Sequence, residues 1–321
     1  MYTKTKLRRA QNIDKFEEIY QKIYTIYVNE FEQTINNKKH EEKKLKKKRF
    51  LVWLFSLLVI ISILIIAYFW FTEDAKRYTL LYGSALLFFF PLMIIPTVKQ
   101  TTENSFENIV KERLIGTLIK EIEPNLSYYP FVKDSTEILE QYHTKGFEGA
   151  YDERVDDEII GSINGNIDMR LSNVHIIKHT SKRSYTKFAG LFIEFPLNKN
   201  INTDIRVLLP TTNYIENPQN CKKMQMDYSE FEKEFNVYTN NKIIANQILT
   251  ATVLEQLASY YKNFGMTFEL TLQNNEAALR IDTGAMFESL TKENLFVYYS
   301  ILNFTFDLVK DIYNIIENAD I

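Results

Sequence analysis

Two uncharged apolar runs, Phe50–Phe71 and Tyr78–Val98, constrain this chain more than any other feature. Only a short charged turn, Glu73-Asp74-Ala75-Lys76-Arg77, interrupts them. Each run is long enough to cross roughly 30 Å of hydrocarbon as a helix. A buried helix of a soluble protein seldom runs so far without a charge. The expectation is therefore a two-helix transmembrane hairpin over residues 50–99. Neither run contains Asp, Glu, Lys, Arg or His, the residues on which ion paths and proton relays rest. That points to an anchor rather than a pore or carrier. Pro91 removes a backbone donor inside the second run, which predicts a bend there.

Charge is split along the chain. Residues 1–99 carry 17 Lys and Arg against 9 Asp and Glu, a balance of +8, and residues 100–321 carry 21 against 32, a balance of −11. The acidic half argues against a nucleic-acid partner, because phosphate binding needs a basic face. Eight basic residues lie in Lys38–Arg49, directly before the first run. By the positive-inside rule they stay in the cytoplasm. An even number of spans then returns the chain to the same side, so both termini are expected to be cytoplasmic. The polar first 49 residues and the long, late apolar run do not resemble a cleavable signal peptide. Lys43, Lys44, Lys46, Lys47, Lys48 and Arg49 are candidate contacts to an anionic bilayer surface, at about 1 kcal/mol each; the same cluster also reads as a topology signal alone. One cysteine, Cys221, allows no intrachain disulfide.

Three domains are expected: an arm (1–49), the hairpin (50–99) and a cytosolic α+β domain (100–321). In the arm, Ile13, Phe16, Tyr20, Ile23 and Tyr27 recur at 3-4-3-4 spacing, and Phe31 and Ile35 extend the stripe. That is an amphipathic helix with a coiled-coil-like seam. The stripe fits packing on the chain's own domain, self-association or a partner helix, or an interfacial position on lipid. In the third domain a helix from Phe106 to Ile119 ends by Pro124. Ile138–Tyr142 reads as a short helix. Strands follow at Ile159–Ser162, Ile167–Leu171, Phe188–Phe195, Ile205–Leu209, Met224–Tyr228, Met266–Leu272 and Ala277–Ile281. Asn164-Gly165 and Asn274-Asn275 mark hairpin turns. The alternation changes phase near Asn173, which predicts a bulge or bend. One helix is expected from Ile243 to about Tyr261, and a closing helix over Lys292–Asn318, capped by Thr291 and seamed by Leu295, Tyr299, Leu302, Phe306, Val309, Tyr313 and Ile316. This seam is a candidate to pair with the arm. Mostly antiparallel strands with flanking helices make an α+β fold.

The residue types that carry chemistry are sparse. His175 and His179 are four apart, which suits a metal on a helix but not on a strand, where four residues span about 13 Å. The acidic run Asp152, Glu153, Asp156, Asp157, Glu158 lacks the alternating ligand pattern of a calcium loop and reads as the solvated start of a strand. Cys221 sits in a polar loop, residues 211–223, beside Lys222 and Lys223. Gly161, Gly165 and Gly190 read as turns and close packing. No phosphate loop, nucleophile elbow or dinucleotide fingerprint is present. No catalytic residue, metal ligand or cofactor site is assigned.

Four segments taken together resemble one family of bacterial membrane proteins, domain of unknown function 3137. They are Asp156–Gly161 running into Leu171–Val174; Phe188–Phe192; Glu230–Tyr238; and Ala245–Thr250 followed by Leu254–Leu257. The similarity covers roughly residues 90–290. It implies a polar arm, two spans and a cytosolic domain, hence a multi-pass protein of the bacterial cytoplasmic membrane. Asn173 stands where the resemblance implies an acidic residue. It implies no activity, substrate or ligand, and hints at a LemA-type membrane partner.

The expectation for function is a membrane-anchored cytosolic interaction or scaffold module that contacts the lipid bilayer and a protein partner or a second copy through its heptad helices. Two alternatives stand beside it. One is a lipid-headgroup or small-ligand sensor at the inner leaflet. The other is an enzyme of unrecognised type, which requires an enclosed polar pocket with several inward carboxylates.

Overall fold

A computed structural model describes residues 13–37, 100–132, 135–144, 152–179, 183–210, 221–226 and 228–319, with isolated positions between 40 and 61. Among the described residues no helix is long and apolar enough to cross a membrane. The expected two-span hairpin, and with it the multi-pass localisation in a bacterial cytoplasmic membrane, is corrected accordingly. Most of Phe50–Val98 lies outside the described residues. The long helices that are described carry charge along their length. Gln100–Ile122 (α2) includes Glu107, Lys111, Glu112, Arg113, Lys120 and Glu121, and Lys292–Asn318 (α7) includes Asp307, Lys310, Asp311 and Glu317. The chain divides into two compact units, Met1–Ile23 with Lys111–Ile321, and Tyr24–Val110.

The larger unit is built on one antiparallel sheet. Its strands are β1 (Leu126–Tyr129), β2 (Asp152–Ile163), β3 (Ile167–His179), β4 (Ser184–Pro196), β5 (Asp204–Leu208), β6 (Lys222–Met224), β7 (Asn236–Thr239), β8 (Phe268–Gln273) and β9 (Glu276–Asp282), in the order β1-β2-β3-β4-β9-β8-β5-β7-β6. Successive side chains point to opposite faces of a strand, so register divides the sheet chemically. One cross-strand row reads Tyr128, Ile159, Leu171, Ile193, Leu279, Leu270, Val207, Val237, Met224. Every member is apolar and buried. The row one residue along, on the opposite face, reads Ser127, Ile160, Arg170, Glu194, Ala278, Thr271, Arg206, Tyr238, Lys223.

Helices cover the apolar face. Phe287 stacks edge-on between Tyr128 of β1 and Tyr298 of α7, at 5.6 and 5.1 Å. The seven seam positions of α7 are all buried, and Thr291 caps it by accepting from the Asn294 amide at 3.3 Å. Thr291→Ala is expected to lower stability by about 1 kcal/mol, read as a shift in the urea midpoint. The arm helix α1 (Ile13–Ile26) lays Phe16, Ile19 and Ile23 inward, with the Phe16 ring 5.0 Å from Phe296 and 5.5 Å from Tyr299. Of the three readings of its stripe, packing on the chain's own domain is the one observed. The stripe is rotated from the expected line: Ile19 is buried and Ile13 is exposed.

The opposite face is covered in part by α3 (Thr136–Thr144). Its Ile138 and Tyr142 close a cluster with Val155, Val174, Ile176, Phe188, Phe192 and Ala278. Asn164 and Gly165 take φ of 52° and 73°, and the Asn166 amide closes the turn on the Ile163 carbonyl at 3.2 Å, as a type I′ turn requires. The expected phase change at Asn173 has a different cause from a bulge in its own strand. β3 runs straight through. The irregularity lies in β2, where Asp156 and Asp157 together face the single residue Asn173 between the pairs Val155–Val174 and Glu158–Ser172, one residue more than β3 supplies. The predicted helix from Ile243 to Tyr261 is two, α5 (Lys242–Ile248) and α6 (Ala251–Phe264), broken at Leu249 and Thr250. Short α4 (Ser229–Glu234) precedes β7.

Candidate functional site

The polar face of the sheet concentrates the chain's buried charge. Arg206, Glu269 and Thr271 are each at most 2 % exposed, and Glu269 stands directly opposite Arg280 in the β8–β9 register. The Arg280 guanidinium forms an ion pair with Glu269, donates to the Tyr142 hydroxyl at 3.2 Å and lies 4.9 Å from the centre of the Phe188 ring. Burial opposes the charge on Arg280, but Glu269 and Tyr142 outweigh it and hold the group above its ordinary value. The Tyr142 hydroxyl is itself pushed up by burial, with Arg280 pulling the other way. A charge pair flanked by a hydroxyl and an aromatic ring in this way is specific in geometry.

A second polar cluster sits at the β2 bulge, on the apolar side. The bulge turns Asp157 inward, 1 % exposed, where Tyr128 donates to it and Lys111 of α2 reaches it at 3.0 Å. Burial first, and then Asp157, push the Tyr128 hydroxyl far above its usual value. The Asn173 side-chain amide donates to Asp157 Oδ2 at 3.5 Å and to the Met286 carbonyl at 3.3 Å. A carboxylate at this position can make neither donation, and its protonated form can make only one. Asn173→Asp is expected to cost on the order of 3 kcal/mol near neutral pH, because it sets two buried carboxylates together. The folded variant then holds a proton that the unfolded chain releases, so its stability falls as pH rises and recovers towards acid. Urea midpoints at pH 5 and pH 8 read that slope against the parent chain.

Beside α3 the polar face opens into a cleft of about 380 Å³. Glu137 and Gln141 of α3 form one wall; Ile160, Arg170, Glu194 and Glu276 come from four strands of the sheet, with Pro196 adding apolar surface. Arg170 is held by Glu158 at 2.5 Å and Glu137 at 3.4 Å. Asp168 accepts from the Ser162 hydroxyl at 2.7 Å.

Sequence-level candidates fall elsewhere. Lys43, Lys44, Lys46, Lys47 and Lys48 are exposed positions of the smaller unit, and Arg49 lies outside the described residues. The acidic run proves to be part of β2, and it is not wholly solvated: Asp157 and Glu158 are buried and paired. His175 and His179 both lie on β3, with His175 Nε2 3.9 Å from Asp156. Among the described residues no group of three His, Cys, Asp or Glu side chains could hold a metal. Cys221 is buried rather than on a surface loop, and burial, then Asp204, push its thiol up against the pull of Arg206. Residues 211–220 lie outside the described residues. Gly161 and Gly190 do mark close packing, against the backbone of Asn125 and of Ile281. Sequence reasoning missed the polar face itself. Its signal was a charge framed by apolar residues, as in Ile205-Arg206-Val207, Phe268-Glu269-Leu270 and Leu279-Arg280-Ile281.

No curated protein matches the chain. Among solved structures it is similar to the crystal structure of the mycobacterial trehalose monomycolate transport factor A, TtfA, with 11% sequence identity and a TM-score of 0.35, over 59% of this chain and 88% of that one. The family match runs from β4 to the end of α7, so it begins later than the resemblance and leaves the Asp156–Val174 segment outside it. Residues 186–318 match the family described as "Protein of unknown function (DUF3137)".

Proposed function

We propose that the chain is a non-catalytic interaction module that meets its partner on the polar face of the sheet. One observation carries this reading. Two arginines of that face are held internally, Arg280 by Glu269 and Tyr142 and Arg170 by Glu158 and Glu137, while the cleft beside them opens to solvent with carboxylates along its walls. Internal pairing fixes the shape of a surface. A catalytic centre instead encloses its reacting groups and keeps water out.

A photo-crosslinking residue at Gln141, in the full chain in its own cell, tests the proposal. The expected result is one discrete adduct, absent when the probe sits at the exposed Ile243 on α5 and lost in the Glu137→Lys, Asp168→Lys variant. Equal adducts from both probe positions overturn it. So does turnover of a chromogenic ester, phosphomonoester or glycoside that Glu137→Gln abolishes without changing the melting temperature.

A further inference from the structure

We propose that the cleft beside α3 receives the basic stretch Lys43–Lys48 of a second copy of this chain. The inference rests on the interaction reading above and names the partner. Three observations converge on it. The cleft has an apolar lining, including Ile160 at 39 % exposure, within an acidic rim formed by Glu137, Asp168, Glu194 and Glu276, with Arg170 as its cation. The stretch is helical and exposed at Lys43, Lys44, Lys46, Lys47 and Lys48. Lys43 and Lys47, and Lys44 and Lys48, are each four apart, which puts four ammonium groups on one side of the helix over nearly two turns. The chain as a whole is divided the same way, +8 over residues 1–99 and −11 over residues 100–321. A single sequence thus supplies both halves of a charge-complementary contact, the condition for copies to associate through unlike surfaces.

The arm's apolar stripe is not available for this purpose, since Phe16, Ile19 and Ile23 are buried in the chain's own domain. The seam of α7 is buried as well. Among the described residues, the surface charges of the cleft and of the lysine stretch form a complementary pair for self-recognition.

The test uses the full chain in its own cell, with the crosslinker at Gln141 and two differently tagged copies. The parent should give an adduct of twice the 38.0 kDa chain mass, containing both tags. Reversing the cleft (Glu137→Lys, Asp168→Lys) should cut that adduct about tenfold, and reversing the stretch (Lys43→Glu, Lys44→Glu, Lys47→Glu, Lys48→Glu) should do the same. Combining both reversals in one chain should restore it. Circular dichroism on each purified variant confirms folding, since every replaced side chain is exposed. An adduct confined to one chain, a two-copy adduct that ignores both reversals, or failure of the combined variant to recover overturns the proposal. A charge-sensitive adduct with a different polypeptide overturns it too, while leaving the interaction reading intact.

Discussion

Alanine at Gly190 should be among the most damaging single substitutions in the chain. A Cβ there would lie 2.1 Å from the Ile281 carbonyl oxygen and 2.9 Å from the Thr283 amide nitrogen. Both are backbone atoms of β9 or its exit, and β4 is bound to them by the Gly190–Asp282 pair and by the Gly284 amide on the Ala189 carbonyl at 2.9 Å. No rotamer change relieves the clash; two strands have to separate. The expected loss is at least about 3 kcal/mol, read from urea or thermal unfolding. Gly161→Ala should be comparable, because φ there is +143° and the new methyl carbon would sit 2.2 Å from the Asn125 carbonyl. Gly116→Ala provides the control of opposite sign. It lies inside α2 with nothing within 4 Å of the new atom, so it should stabilise by about 0.5–1 kcal/mol.

Glu269→Ala is expected to cost about 3–5 kcal/mol, because it removes the carboxylate that faces the Arg280 guanidinium in the interior. The size of that loss does not measure the worth of the pair. Replacing both partners together by Glu269→Leu and Arg280→Met should be far milder than the sum of the single changes, since no uncompensated charge then remains. A double-mutant cycle on unfolding free energies reads the coupling directly. If the two single losses simply add, the ion pair does not organise the face.

The same residues explain what the sequence could and could not reveal. Alternation in Phe268–Leu272 and Leu279–Ile281 assigned strands and turns correctly, because the side-chain period of two is a local property. It also sorted Glu269, Thr271 and Arg280 onto the face opposite the aliphatics. What alternation lacks is any account of what lies over that second face, so a polar position reads as wet. Here α3, far upstream, covers part of it and buries Tyr142 against Arg280. Asn173 shows the converse. The switch of burial from Leu171 to Val174 looks like a kink in β3, whereas the strand is regular and the cover changes from one side to the other. The displaced residues belong to β2, which also carries Asp157 inward. The break between α5 and α6 went unseen because Leu249 and Thr250 carry no glycine or proline to signal it.

Strand order has a consequence for how the molecule is made. β1 to β4 are neighbours in sequence and can pair while the chain is still being synthesised, but β4 meets β9 only after Glu276–Asp282 have left the ribosome, and α7 follows later still. Until then the nascent protein presents β4 as an unfinished edge, with Leu191, Ile193 and Phe195 open to any passing strand. Closure at that one junction is non-local and therefore slow. Shielding by a chaperone matters most in the interval between the emergence of Pro196 and that of Asp282.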